Sequence, residues 1–360
     1  LTEVLGLKMK QALHQFIGLS GLITSNALRM RIFDRHAWLC RARHCLVAVL
    51  SLMACTGSWA EFPDRPIVII VPYPVGGATD TLSRVVGAKL GELLKTSVVI
   101  DNRAGGSGMI GLNAAARLPA DGYTMFLGAV SDIAIFAAAS ANTQPANLER
   151  DFTAVAGLAS APHILVVPTS IAVNDMEQLI VLLKKSPGAH NFASIGVATL
   201  SQLEGTVLMQ TTGVDIVHVP YRGGAQALQE LIVGNTSLMF LSGPNAMPHV
   251  RSGRVKILAT ASEQRLPLLP NVPTMAEAGI KGFSAPNRFG FYAVKDTPPK
   301  AIQHITRALE KVLDDPEVRS RLEQQGMLPK YIAPAEFNRQ TTEDFQYFSD
   351  LVKRSKIRLE

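Results

Sequence analysis

The sequence predicts an α/β protein built as two lobes joined by a hinge, each lobe a mostly parallel sheet flanked by helices, with a ligand cleft between them. Three observations carry this expectation. Short apolar, β-branched runs alternate with segments of helical periodicity between positions 67 and 260, the order that builds parallel sheets covered by helices. The chain has 360 residues, and the roughly 300 that follow an N-terminal leader reach the practical limit of a single core. Beyond Pro298 the pattern turns helical almost to the end, which leaves those helices without a sheet of their own and sends them back onto the first lobe.

Taken in order, Ile67–Val71 is a fully apolar run stopped by Pro72, as a buried parallel strand should be. Apolar residues at Leu82, Val85, Val86, Leu90, Leu93 and Leu94 then repeat at helical spacing through Thr79–Lys95. Ser97–Ile100 reads as strand, Leu112–Leu118 as helix, Tyr123–Leu127 and Ile164–Val167 as strands. Asp175–Lys184 places Met176, Leu179, Ile180 and Leu183 on one helical face. Next come strand Asn191–Ala193, helix Ser201–Thr211, strand Asp215–Val219, helix Ala225–Val233, and strands Ser237–Phe240 and Val255–Thr260. Three helices close the chain, Lys300–Leu313, Pro316–Gln325 and Ala335–Lys353. The expected division is therefore a first lobe of residues 61–164 plus 283–360 and an inserted second lobe of 165–282. Two connections between lobes make a hinge, and the cleft they flank is the natural ligand site.

Composition narrows the function classes. A chain with 47% hydrophobic and 18% charged residues is neither disordered, collagen-like nor a coiled coil. The net charge of +6 invites an anionic partner such as nucleic acid, but its distribution removes that reading. Residues 1–60 hold seven Lys/Arg against Glu3 and Asp34, so the remainder carries a net charge of only +1. The N-terminal segment has the layout of a secretory signal: basic Arg41–His44, apolar Cys45–Ala54, and small residues at Ser58 and Ala60 before a cut after Ala60. A buried core helix is the alternative. Met30 would give a leader of conventional length, and Leu52-Met-Ala-Cys55 is a weak match to a lipoprotein box that would anchor Cys55 to lipid. All three cysteines (Cys40, Cys45, Cys55) lie in this segment, so the exported chain would have no thiol catalysis, no cysteine metal site and no disulfide unless Cys55 is retained. No later segment reaches the length of an apolar membrane span.

Two glycine motifs compete for the ligand. Pro72-Tyr-Pro-Val-Gly-Gly-Ala-Thr-Asp80 sits between a buried strand and a helix, where Gly76 and Gly77 admit a ligand to the backbone and the helix start supplies free amides. Thr79 or Asp80 would cap the helix. The motif lacks the Gly-Lys-Ser/Thr ending of a nucleoside triphosphate loop, and an ordinary strand-to-helix turn is its alternative. Gly106-Ser-Gly-Met-Ile-Gly111 spells G-x-G-x-x-G, with Asp132 about twenty residues on. Against dinucleotide binding stand a long spacer after the strand, a place in the second βα unit, and the scarcity of free NAD outside the cell. Catalytic constellations are absent from the pattern: no G-x-S-x-G, five scattered histidines beyond the leader (His163, His190, His218, His249, His304) without metal-ligand spacing, and no acidic pair that the sequence places together. No enzyme and no cofactor is expected.

Several segments together carry a family resemblance. Phe62-Pro-Asp-Arg-Pro-Ile67, Val71–Asp80, Asp101-Asn-Arg-Ala-Gly105, Ala120-Asp-Gly-Tyr123, Val217-His-Val-Pro-Tyr-Arg-Gly223 and Leu269–Gly279 resemble, in order, the substrate-binding proteins of tripartite tricarboxylate transporters, the Bug family. The resemblance implies a type II periplasmic binding protein that captures a small organic carboxylate and hands it to membrane permease subunits. It implies that Tyr73, Gly76, Gly77, Ala78, Thr79 and Asp80 cradle one carboxylate, that Ser131 offers a hydroxyl, and that Ser194 and Thr199 belong to a second loop opening a helix. Tyr221 and Gly223 would close the far wall. A dicarboxylate would then lie between two facing helix N-termini that need no Lys or Arg.

The chain also departs from the family. Ile195, Val197 and Ala198 stand at polar or small positions, Gln202 at a His position, Leu241 where a polar residue is common, and Arg288 where an aromatic is usual. One side of the pocket is therefore expected to be more apolar, and Arg288 offers an extra carboxylate partner, a plain surface charge being its alternative. A monomer is expected. Two other functions share the sequence: a receptor presenting its ligand to a membrane sensor, and an NAD-dependent oxidoreductase using Gly106–Gly111.

Overall fold

The computed structural model describes residues 62–141, 144–282 and 287–359. The expected leader, with the Met30 start, the cut after Ala60 and the Cys55 anchor, lies outside the described residues. The chain begins with β1 (Ile67–Val71), α1 (Ala78–Leu94), β2 (Val98–Asn102), α2 (Met109–Ala115), β3 (Thr124–Ala129), α3 (Val130–Ala139), α4 (Leu148–Asp151) and β4 (Phe152–Ser160). It continues through β5 (His163–Pro168), α5 (Met176–Lys185), β6 (His190–Ser194), α6 (Leu200–Thr212), β7 (Ile216–Pro220), α7 (Gly224–Ile232), β8 (Leu238–Ser242), α8 (Gly243–Arg251) and β9 (Val255–Thr260). It ends with β10 (Arg288–Val294), α9 (Pro299–Asp314), α10 (Pro316–Glu323), β11 (Leu328–Ile332) and α11 (Pro334–Ser355).

Two sheets organise these elements, one ordered β11-β4-β10-β3-β1-β2 and the other β7-β6-β8-β5-β9. Both are mixed, which corrects the expectation of mostly parallel sheets. β1 pairs in parallel with β2 and β3, and β6 with β7 and β8. The remaining pairings are antiparallel. The reason is the hinge itself. β4 carries the chain out of the first lobe and β10 brings it back, so these neighbours must run in opposite directions, and β5 and β9 do the same in the second lobe. The outward crossing falls at Ala161–Pro162 rather than at 164/165, since His163 already pairs with Ser242 in the second sheet. Backbone bonds from Ala161 N to Asn287 O (3.0 Å) and Ala261 N to His163 O (2.8 Å) tie the two crossings together.

Six elements, the single-turn α4 among them, lie where no element was expected. α3 is buried on nearly every side, its polar Ser131 and Asp132 included, so it shows no polar stripe. β4 reads FTAVAGLAS, rich in small residues of low strand preference. β10 follows the long return crossing, β11 is an edge strand containing Pro329, and α8 carries Pro244 and Pro248.

Packing follows from the amphipathic faces. Ile305, Leu309 and Val312 of α9 share a core with Leu82, Val86 and Leu90 of α1 and with the sheet residues Ile69 and Leu127. Phe348 and Val352 of α11 share another with Ile135 of α3 and with Leu200 and Leu203 of α6, so the lobes also meet through apolar side chains. Among the described residues no helix is long and apolar enough to cross a membrane.

Candidate ligand-binding cleft

The cleft is built from the ends of β1, β7, β8 and β10, where apolar strands give way to glycine turns and helix starts. At the end of β1, Gly76 N donates to Asp80 Oδ2 (2.9 Å), while Arg84 Nε (2.9 Å) and Asn102 Nδ2 (3.1 Å) donate to the same carboxylate. Burial opposes the Asp80 charge, but these three donors hold its pKa below the usual carboxylate range. The Asp80 carboxylate and the Gly76 amide are therefore bound to each other and brace the loop, so the Gly76 amide is not free for a ligand, contrary to expectation. The first helical bond of α1 runs from Thr81 N to Gly77 O, so the amides of Ala78, Thr79 and Asp80 have no partner within the helix. Thr79 is 3% exposed, and its Oγ1 has no hydrogen-bond partner.

A second helix start faces this one. Ala227 N bonds to Gly223 O, leaving the amides of Gly224, Ala225 and Gln226 at the beginning of α7 without helical partners. A Cβ on Gly223 would fall 2.9 Å from Pro74 Cγ, and one on Gly224 would collide with Asn245 Nδ2 at 1.7 Å, so both glycines mark close approaches that bring β1, α7 and α8 together. The buried Oδ1 of Asn245 also lacks a partner. The resulting cavity of about 320 Å³ is lined by Tyr73, Gly77, Ala78, Thr79, Gly223, Gly224, Asn245 and, toward the hinge, Ala129, Ile195, Leu241, Asn287 and Phe289. Its volume suits a small organic ligand.

A buried polar chain closes the hinge side. Tyr73 Oη donates to Asp132 Oδ2 (2.9 Å), and Asp132 Oδ1 accepts from Leu200 N of the second lobe (2.8 Å). Burial raises the Asp132 pKa against the opposing pull of the Leu200 amide, His163 and Tyr73. His163 Nδ1 lies 2.6 Å from Glu204 Oε2. Burial acts against the His163 cation, and the Glu204 carboxylate beside it prevails, holding its pKa above the usual value. Ser107 Oγ donates to Val197 O (2.6 Å), a further bond between lobes.

Of the expected site residues, Tyr73, Gly77, Ala78, Thr79 and Gly223 line the cavity. Gly76 and Asp80 stand behind it as described. Ser131 Oγ donates to Asn287 Oδ1 (3.0 Å) and so orients a lining residue without lining the cavity itself. Ser194 Oγ lies 2.6 Å from His218 Nε2, and Thr199 Oγ1 donates to Gly196 O (2.8 Å). Both serve the second loop rather than the cavity, and the α6 start that was to receive a ligand carboxylate accepts Asp132 instead. Tyr221 packs on the second-lobe core beside Gly223. Arg288 is corrected outright: strand alternation turns Asn287 and Phe289 to the cleft and Arg288 away, where it pairs with Asp344. Sequence reading passed over Asp132 as a ligand-site residue, as well as His163, Arg222, Asn245 and Asn287. Arg222 alone had a signal, as part of the Pro-Tyr-Arg-Gly segment.

The second glycine motif also finds its place. A Cβ on Gly111 would sit 2.8 Å from Pro72 Cα, so its missing side chain lets α2 pack on the end of β1. Among the described residues no group of three His, Cys, Asp or Glu is placed to hold a metal.

Residues 82–357 match the family described as tripartite tricarboxylate transporter family receptor. The chain belongs to that family. This receptor is 31% identical over 320 residues to Protein BugT of Bordetella pertussis, covering 87% of this chain and 98% of BugT. It is 36% identical over 270 residues to a UPF0065 protein of Pseudomonas sp., covering 74% and 79% of the two chains. Among solved structures, R. palustris Rpa4515 with adipate superposes with a TM-score of 0.80 at 29% identity, covering 83% of this chain and 99% of that one. MatC (Rpa3494) from Rhodopseudomonas palustris with bound malate gives 0.75 at 29% identity, covering 81% and 100%. The receptor thus has the two-lobe α/β fold of periplasmic binding proteins, as the resemblance implied.

Proposed function

We propose that this receptor captures a small organic carboxylate between its lobes, outside the cytoplasm, and delivers it as a monomer to permease subunits of a tripartite tricarboxylate transporter, without catalysis. The observation that carries this reading is the convergence of the α1 and α7 starts on one cavity, with Thr79 Oγ1 buried and unpaired at its wall. Six backbone amides without helical partners and a spare hydroxyl favour an anion, and two positive dipole ends add to them. Relatives of the same fold bound to adipate and malate support the carboxylate assignment.

Thermal denaturation across a panel of organic acids tests the proposal. A true ligand at 100 times its Kd stabilises the folded state by about 2.7 kcal/mol. Thr79→Val keeps the shape and removes the unpaired hydroxyl, so it should leave the unliganded stability unchanged or slightly higher while weakening the ligand by roughly tenfold, about 1.4 kcal/mol. A panel of carboxylates that stabilises nothing would sink the reading.

A further inference from the structure

We infer that the ligand carries a single carboxylate on an apolar body, an aryl or alkyl monoacid rather than a dicarboxylate. This rests on the carboxylate reading above and narrows it. The unengaged donors all lie at one end of the cavity: the amides at the starts of α1 and α7 and Thr79 Oγ1. The close approach of Gly223 to Pro74, and of Gly224 to Asn245, makes them one cluster sized for one carboxylate. The exposed Arg222, next to Gly223 in the chain, adds its charge at this same end.

The hinge end is different in kind. Its walls are Ala129, Ile195, Leu241 and Phe289, and apart from Ser242, which caps no helix amide, the polar side chains there already have partners. Asn287 donates to Ala161 O (2.7 Å) and accepts from Ser131. His163 is held by Glu204, and both oxygens of Asp132 accept bonds from the protein. A second ligand carboxylate at this end would lose its water for at most the Ser242 hydroxyl, and it would face the acidic side chains of Asp132 and Glu204, with His163 between them already held by Glu204. The α6 start does not serve it, because Leu200 N is bonded to Asp132 and no residue of α6 lines the cavity. An alkyl chain or ring, in contrast, removes apolar surface from water against those four walls.

Matched acid pairs decide the question by isothermal titration of the purified receptor: hexanoate against adipate, and phenylacetate against a phenylenediacetate. The expected result is at least tenfold tighter binding of the monoacid in one or both pairs. Equal or tighter binding of the diacid in both pairs overturns the inference while leaving a carboxylate receptor in place. No binding of any acid, mono or di, removes the carboxylate reading itself. The variant Ile195→Arg, at a half-buried position of the apolar end, should shift the preference toward the diacid by tenfold or more. A folded variant that keeps the wild-type preference would overturn the placement of the apolar end, and if it does not fold the acid pairs remain decisive.

Discussion

His218 shows how a single buried side chain sets a pH limit. Its ring stacks on Phe192 with centroids 4.9 Å apart, its Nε2 is 2.6 Å from Ser194 Oγ, and burial pushes its pKa down to about 4. In the unfolded chain the same imidazole titrates near its ordinary value of 6.5. As pH falls from 6.5 toward 4 the unfolded state therefore binds the proton first, so stability contributed by the neutral ring is complete above 6.5 and is lost through this window. Allowing for its partial exposure, the loss should be about 1–2 kcal/mol. Urea unfolding midpoints measured at pH 7, 5.5 and 4.5 should fall more steeply for the native chain than for His218→Gln; equal slopes would show that the ring does not titrate in this way. The residue scale is also where reading the sequence misassigned most. Ser131 and Thr199 are suitable ligand hydroxyls by type, yet each is engaged by the protein itself.

At the scale of elements, the proposed binding chemistry rests on the helix starts, and their spacing is set by glycines. Gly223 holds α7 against the β1–α1 loop because nothing larger fits beside Pro74. Gly223→Ala should push the two amide clusters apart and reduce ligand affinity by roughly ten- to a hundredfold, about 1.4–2.7 kcal/mol, with a smaller effect on unfolding of the unliganded chain. Titration with the best ligand of the acid panel, alongside thermal melting, separates these effects; unchanged affinity would mean the clusters do not act as one. The strand and helix pattern from β1 through β3 and, α8 apart, from β5 through β9 was legible because buried strands read as apolar runs and exposed helix faces as polar stripes. α3, β4 and β10 were not legible. They lie where the two lobes join, buried on all sides or built from small residues, so they display neither period.

At the scale of the whole molecule, the lobes are joined by the hinge crossings, by the apolar contacts of α6 with α3 and α11, and by a few polar bonds across the cleft. Ser107, in the middle of the G-x-G-x-x-G segment, donates to Val197 O from the opposite lobe. Ser107→Ala removes this bond without removing a ligand contact, so it should favour the open arrangement of the lobes. The expected change is a larger radius of gyration in small-angle scattering and a fall in affinity of a few-fold, about 0.5–1.5 kcal/mol. No change in either quantity would show that closure does not depend on it. A motif that reads locally as a nucleotide loop thus acts here through packing, by Gly111, and through a bond between lobes, by Ser107.

The sequence by itself determined the α/β class and most of the alternation of elements, because apolar period, glycine position and helix start are local properties. Only the tertiary structure decided which polar groups remain free. Asp132 lies 68 positions from the Leu200 amide it accepts, and Ser131 lies 156 from the Asn287 it orients. Such pairings leave no trace in local pattern, since either residue would serve equally well with a ligand as with a distant part of its own chain. They moved the second helix start from α6 to α7 and turned Arg288 toward Asp344. What remained open to a ligand is a cluster of donors at one end of the cleft and apolar walls at the other.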